Sequence, residues 1–265
     1  MPKVSVIVTT YNRPDLVKKT ILSILNQTFI DFELIVVDNY SDYNFFGLIE
    51  EINDERTYAF QNKNNGNISI NRNFALEIAK GDFIAFCDDD DIWENNKLQV
   101  QVDFICKNKL QKEKFVLYSN CLEQHPTFNK TTAKKKIKDI NDFIFGNQIV
   151  LSTSMVSNNL LKERFSEDRR FIAVEDYLFW MNLKLQNYRF FLITNSLLVL
   201  KIDNTSMSLK NYGMNHLRTV KALINIYQKK NSKMDSLNLI FSIFIELSKF
   251  LTKRIIKLYN KSKYE

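Results

Sequence analysis

Glycine and proline are scarce, five and three among 265 residues. So few of either argues against long disordered linkers and against an all-β fold crowded with tight turns. The glycines, Gly47, Gly66, Gly81, Gly146 and Gly213, match neither G-x-G-x-x-G nor G-x-x-x-x-G-K-[ST]. Those loops bring backbone close to phosphate, so dinucleotide-binding dehydrogenases and P-loop kinases are largely excluded. Any phosphate bound here has to be neutralised by other groups. The three cysteines, Cys87, Cys106 and Cys121, are odd in number and have no C-x-x-C spacing. That fits a reducing compartment and rules out a disulfide framework. His125 and His216 are the only histidines, which leaves little support for a zinc cluster or a His-dependent hydrolase. No uncharged apolar run reaches the length of a membrane-crossing helix, so none is expected. The opening "MPKVSVIVTTYNRP" has no cleavage-like site after its short apolar run, so no signal peptide is expected either.

What is present suits a globular α/β protein. The hydrophobic fraction is 45% and the net charge is +7, enough for a core and suggestive of anionic partners: nucleic acid, anionic lipid or phosphorylated small molecules. "KVSVIVTTY", "FELIVVDN", "TYAFQN" and "DFIAFCDD" read as strands. They alternate with helices over "RPDLVKKTILSILNQT", "NFFGLIEEIN", "NISINRNFALEIAKG", stopped by Gly81, and "NKLQVQVDFICKN". Such alternation predicts a mostly parallel sheet, in which ligands bind beyond the carboxyl ends of the strands. Three of those ends carry polar groups: Thr9 to Asn12, Asp38 with Asn39, and Asp88 to Asp91. Beyond about residue 110 come a strand over "KFVLYSNCLE", a basic loop over "PTFNKTTAKKKIKD", helices over "INDFIFGNQI" and "VEDYLFWMNLKLQN", strands over "RFFLITNSLLVLKI", and helix from about His216 onward.

The acidic quartet Asp88–Asp91 follows directly on an apolar strand. Carboxylates about 5 Å apart repel by roughly 3 kcal/mol at an effective dielectric of about 20, so water or a cation has to offset the cost. Mg²⁺ or Mn²⁺ held by one or two carboxylates plus substrate phosphates suits a strand end beside a cleft. An acidic turn capping the next helix would use the same residues. Asp38 can bind a nucleobase or ribose, or form an Asx-turn. Arg72 can face a pyrophosphate with its planar fork, or make a surface ion pair.

Taken in order, these segments resemble the family 2 glycosyltransferases over roughly residues 3–208. "VSVIVTTYNRPDLVKKTILSILNQTFIDFELIVVDN" is similar to the family's opening strand, helix and second strand. "NNGNISINRNFALEIAKGDFIAFCDDDDIW" is similar to its N-x-G-x-x-x-x-R-N segment running into the D-x-D motif. "VEDYLFWMNL" resembles its acidic helix start and "LKIDNTSMS" its closing segment. The resemblance implies a GT-A fold: a mixed, mostly parallel central sheet flanked by helices. Residues 1–210 would form the transferase domain, with 1–100 the nucleotide-sugar half and 101–210 the acceptor half, and 211–265 a C-terminal helical extension. It further implies that Thr9, Tyr11 and Arg13 line the nucleotide pocket and that Asp38 binds uracil or ribose. Arg72 would sit near the donor phosphates or sugar. Asp88 and Asp90 would be the D-x-D acids on Mn²⁺ or Mg²⁺, with Asp88 also towards the ribose or sugar. The overlapping frame of Asp89 and Asp91 brings Asp89 to the donor as well. Asp176 would be the general base, with Glu175 the competing candidate. Both also suit the first turn of a helix as dipole partners.

Two positions depart from the family pattern. Where D-D-G-S is usual this chain has "DNYS", with Asn39 for an acid, Tyr40 for the glycine and Asp42 nearby as partial compensation. The closing Arg and His are here Lys201 and Asp203. The tail carries Leu237, Ile240, Phe241, Phe244, Leu247, Leu251, Ile255 and Leu258 at helical spacing, followed by lysines through Lys263. Residues 237–263 therefore read either as an interfacial helix on an anionic membrane or as a helix packed on the domain or a second subunit. The function implied is an inverting, metal-dependent transfer of a hexose or N-acetylhexosamine from a UDP-sugar. The acceptor would be a hydroxyl of a lipid-linked saccharide in surface polysaccharide or lipopolysaccharide synthesis. It would take place in the cytoplasm, at the inner face of the plasma membrane. The rivals are a nucleotidyltransferase, which usually needs a Gly-rich N-terminal loop, and a non-catalytic module binding anionic membrane or nucleic acid. An acidic rim is a poor surface for a polyanion, so no nucleic-acid partner is expected.

Overall fold

The computed structural model describes residues 1–125, 128–159, 161–201, 212–229 and 233–262. The first half runs β1 (Val4–Thr10), α1 (Pro14–Leu25), β2 (Phe32–Asp38), α2 (Phe45–Ile52), β3 (Thr57–Gln61), α3 (Ile68–Ile78) and β4 (Phe83–Asp88). β1 pairs in parallel with β2 and β4, and β2 with β3. Every residue of β1 and β2 is buried, as expected where helices cover both faces of a parallel sheet. Alternate side chains feed two cores. Val6, Val8 and Val36 meet Ile21 and Ile24 of α1 on one face; Ile7, Ile35 and Phe86 meet Leu76 of α3 on the other. The register aligns the strand ends: Thr10 stands beside Asp38, and Thr9 beside Asp88.

Helix α3 ends sooner than the Gly81 stop predicts. Its last residue is Ile78, and Ala79 is already extended. Gly81 serves a close approach instead. A Cβ there would lie 2.4 Å from the Ser5 backbone nitrogen, and the Gly81 amide donates to Ser5 Oγ.

The second half contains β5 (Ile92–Trp93), α4 (Lys97–Lys107), β6 (Phe115–Gln124), β7 (Asn129–Thr132), β8 (Met155–Ser157), α5 (Glu175–Leu185), β9 (Arg189–Lys201), α6 (Tyr212–Tyr227) and α7 (Ser236–Ser262). Among the described residues one nine-stranded sheet runs in the order β3-β2-β1-β4-β8-β6-β9-β5, with β7 added to β6. β8 lies antiparallel between β4 and β6, and β9 runs parallel to β6. Part of the expected basic loop is thus strand β7, antiparallel to β6. "INDFIF" is a 3₁₀ turn whose Asp139 and Asp142 form a capping box. The strands expected after α5 are a single strand of 13 residues.

The C-terminal helices share the main core. Ala222, Leu223 and Ile226 of α6 and Leu239 of α7 join Trp180 of α5 in one cluster. On α7 the buried positions are Leu239, Ser242 and Glu246, whereas Leu237, Ile240, Phe241 and Phe244 are exposed. Through Leu251 the apolar stripe read from the sequence is therefore the outward face. No helix among the described residues is long and apolar enough to cross a membrane. Asp203 and Lys263 lie outside the described residues.

Candidate active site

The rim at the strand ends is organised by the turns after β1 and β2. Asn12 donates through Nδ2 to Asp42 and accepts from the Asp42 amide, at 2.8 and 2.7 Å, while its own amide donates to Ser41 Oγ at 2.7 Å. Asp42 is thereby spent on joining the two turns. Tyr40 has φ 55°, the left-handed conformation that glycine adopts without steric cost. Asp38 lies behind the rim. It is fully buried and accepts from the amide and hydroxyl of Ser41 and from Gln61 Nε2. That is the Asx-turn alternative, and Asn39 rather than Asp38 lines the cleft.

The acidic quartet divides by environment. Asp89 turns inward, accepting from Thr10 Oγ1 at 2.8 Å and Arg13 Nη1 at 3.0 Å. Asp91 is buried too. Asp88 and Asp90 keep 37% and 44% of their side chains exposed. Asp90 pairs with Arg13 at 3.1 Å and Asp88 with Arg72 at 2.8 Å. The Asp88 amide donates to Ser152 Oγ. Burial pushes the Asp89 carboxyl up to about 6, and burial followed by repulsion from Asp88 raises Asp90 and Asp91. Burial leads in all three, and Arg13 offsets it only in part at Asp89 and Asp90. No three acidic, histidine or cysteine side chains among the described residues converge as a metal cage. Two half-open carboxylates do suit a divalent ion whose remaining ligands are phosphate and water oxygens.

Arg72 joins this rim to α5. It is 5% exposed, and Nη1 meets Glu175 Oε1 at 2.8 Å while Nη2 holds Asp88. Its position follows from α3, whose N-cap Asn67 accepts from the Ser69 amide. One residue along, Asn73 donates to the Phe165 carbonyl and accepts from the Phe165 amide. This clasp holds the segment leading into α5. At the start of α5 Asp176 accepts from the Tyr177 amide and from Asn147 Nδ2, both at 2.7 Å. Burial, reinforced by the neighbouring Glu175 charge and only partly countered by Arg72, pushes Asp176 up to about 7.

Thr9, Tyr11, Arg13, Arg72, Asp88, Asp89 and Asp90 line one cleft of about 390 Å³. Asp176 lines a separate cavity of about 260 Å³, and Glu175 reaches the cleft only through Arg72. The sequence reading put Thr10 and Asn39 at the strand ends without a role of their own, and it missed Asn64 on the cleft wall, as well as Ser152 and Asn147. Asn64 opens the N-x-G segment and was open to reading; nothing local marks Ser152 or Asn147.

Residues 5–155 match the family model described as "Glycosyl transferase family 2". The chain belongs to glycosyl transferase family 2. The transferase is 32% identical over 186 residues to the Escherichia coli "UDP-Glc:alpha-D-GlcNAc-diphosphoundecaprenol beta-1,3-glucosyltransferase WfgD", covering 69% of this chain and 70% of that protein. Its fold matches S. aureus TarS in complex with UDP-GlcNAc, with a TM-score of 0.70, 22% identity, and 94% of this chain and 71% of the other covered. It also matches the mannosyltransferase PcManGT from Pyrobaculum calidifontis, solved with GDP-Man and Mn²⁺, with a TM-score of 0.65, 14% identity, and 99% and 80% covered. The transferase therefore has the GT-A fold expected of its family.

Proposed function

We propose that the transferase moves a hexose or N-acetylhexosamine from a UDP-sugar to a hydroxyl of a lipid-linked saccharide, with inversion, in surface polysaccharide synthesis. The observation that carries this reading is Arg72, one buried guanidinium spanning the half-open acid Asp88 and the acidic start of α5. Donor cleft and candidate base are thereby held in one rigid frame. In the proposed reaction Asp176 takes the proton of the acceptor hydroxyl. The oxygen attacks the anomeric carbon opposite the diphosphate, the bond to the diphosphate breaks with its electron pair, and UDP leaves. A carboxylate poised near neutrality suits a general base. Tyr11, Arg13 and Asn39 would flank the nucleotide, and Asp89 would hold Arg13 in place. Mn²⁺ or Mg²⁺, held by Asp88 and Asp90 and completed by the diphosphate, would supply Lewis-acid stabilisation of the leaving group.

The acceptor class rests on the name of the E. coli relative and on α7. The outward stripe, with Leu237, Ile240 and Phe244 at 76%, 64% and 69% exposure, precedes the lysine-rich end of the sequence. That combination suits an anionic bilayer and work at the cytoplasmic face of the plasma membrane. Two experiments test the proposal. The purified chain is titrated with UDP- and GDP-sugars with and without Mn²⁺, following binding and slow hydrolysis; no metal-dependent response to any UDP-sugar refutes it. Flotation with anionic vesicles should carry the chain up, and Phe241→Glu with Phe244→Glu should leave it at the bottom; undiminished flotation of that variant refutes the membrane contact.

A further inference from the structure

Strand β4 loses one neighbour before it ends. β8 pairs only with Phe83, Ile84 and Ala85, whereas β4 runs on to Asp88 with β1 along its other side. Backbone amides on the open side need another acceptor. The 3₁₀ turn Leu151–Thr153, which leads into β8, supplies one: Ser152 Oγ accepts from the Asp88 amide at 2.9 Å. Ser152 is fully buried. Its hydroxyl also bonds the Asp91 carboxyl, favouring the charged form against the burial that raises it. One hydroxyl thus meets the first and last acids of the quartet. The turn that carries it is fixed in its own right. Trp93 Nε1 donates to the Ser152 carbonyl at 2.9 Å, and Gln101 Nε2 to the Thr153 carbonyl at 3.0 Å. Lys97 Nζ holds Gln101 Oε1 at 2.9 Å and stands 3.8 Å over the Trp93 ring. At the far end of the quartet Thr20 Oγ1 donates to the Asp91 carbonyl at 2.9 Å. The backbone of the acidic turn is therefore pinned at both ends, while the side chains of Asp88 and Asp90 stay half-open.

We propose that Ser152 is a positioning residue for the divalent ion: its hydroxyl aims the strand end so that Asp88 and Asp90, rather than Asp89 and Asp91, face the cleft. A hydroxyl suits this place because it accepts from the Asp88 amide and donates to the Asp91 carboxyl at the same time. Without it the Asp88 amide loses its partner and the Asp91 carboxyl a donor, which is costly away from water. The strand end then turns to find water, and the placing of the two half-open acids goes with it. Ser152 does not line the cleft, so it acts through Asp88 and touches neither donor nor metal. Groups that orient metal ligands in this way change metal affinity by about 10–100-fold when removed. The inference rests on the proposed metal at Asp88 and Asp90.

The test measures binding of Mn²⁺ and UDP to the full chain, without turnover. Mn²⁺ affinity in the presence of UDP is read from the free-ion signal in electron paramagnetic resonance, and UDP affinity in EDTA by calorimetry. Ser152→Ala removes the hydroxyl; Ser152→Cys fills the same space with a weak acceptor, and it alone decides if the alanine variant does not fold. Both should weaken Mn²⁺ binding by about tenfold or more while metal-free UDP affinity stays within about twofold. A folded variant that keeps Mn²⁺ affinity within about twofold of wild type refutes the proposal. So does an equal loss of UDP affinity in EDTA, which marks a role in folding alone. A wild type with no Mn²⁺-dependent UDP binding refutes the proposed function, and this inference with it. Wild-type binding with unchanged variants refutes this inference only.

Discussion

Replacing Arg72 by methionine should unfold the protein far more readily than its location beside a solvent-facing cleft suggests. Arg72 and Glu175 are 5% and 7% exposed and in contact at 2.8 Å. Glu175 Oε2 has no hydrogen-bond partner among the described residues, so Arg72 is what compensates this carboxylate. Removing one member of a buried ion pair costs about 3–5 kcal/mol, because the other charge stays buried. Against a total domain stability of about 5–15 kcal/mol that is a large share. The exposed pair Lys18–Glu51, at 2.6 Å, is the control: Lys18→Met should cost about 1 kcal/mol or less. The assay is urea unfolding of wild type, Arg72→Met, Glu175→Met and the double variant. The midpoint should fall at unchanged slope for Arg72→Met, and the double variant should be more stable than Arg72→Met, with a coupling of about 2–3 kcal/mol. A loss below about 1 kcal/mol for Arg72→Met, or strictly additive losses, would show that the frame does not hold site and fold together.

Further outcomes concern the base and the core. Asp176→Asn should keep UDP-sugar binding and reduce transfer by about 10²–10⁴; wild-type kcat should rise with pH to a half-maximum near 7, and retention of near-normal transfer by the variant rules Asp176 out as base. The same carboxyl holds a proton in the folded state between its ordinary range near 4 and about 7 that the unfolded chain has released, so its contribution to stability declines as pH rises through that window. Asp176→Asn should accordingly raise Tm at pH 8, read by calorimetry. Lys97 is fully buried over Trp93, and burial pulls its ammonium down to about 7. Between about pH 7 and 10 the unfolded chain carries the extra proton, so this group's penalty shrinks as pH rises. Lys97→Met should stabilise by about 1–4 kcal/mol at pH 6 and by less at pH 9; an equal gain at both would refute the assignment. Gly81→Ala forces a Cβ to 2.4 Å from the Ser5 nitrogen and should cost about 1–3 kcal/mol in a thermal melt.

Much of the first half was legible because its signals are local. β1, β2 and β4 are apolar runs bounded by polar residues, and α1 opens with Pro14 in its first turn. The short strands β5 and β8 have two and three residues; they exist only because β9, β4 and β6 offer them edges, which no periodicity encodes. The overlap of two acidic frames in Asp88–Asp91 was visible in the sequence, but which frame faces the cleft was not. The two are separated by tertiary contacts, with Thr10 and Arg13 drawing Asp89 inward while Asp88 and Asp90 stay half-open. Asp38 shows the converse. Its place at a strand end was clear, but Ser41 and Gln61 claim its carboxylate. Asn147 meets Asp176 across 29 residues of sequence and His216 meets Glu246 across 30, so neither pairing leaves a motif.

Helix α7 carries its exposed apolar stripe on one side and Glu246, in the cavity wall, on the other. A helix with its side chains is about 10–12 Å across. The thickness of one helix therefore sets the depth between whatever plane the stripe rests on and the cavity behind it. A tilt of α7 would therefore move the exposed stripe and the cavity wall together, because one rigid helix carries both.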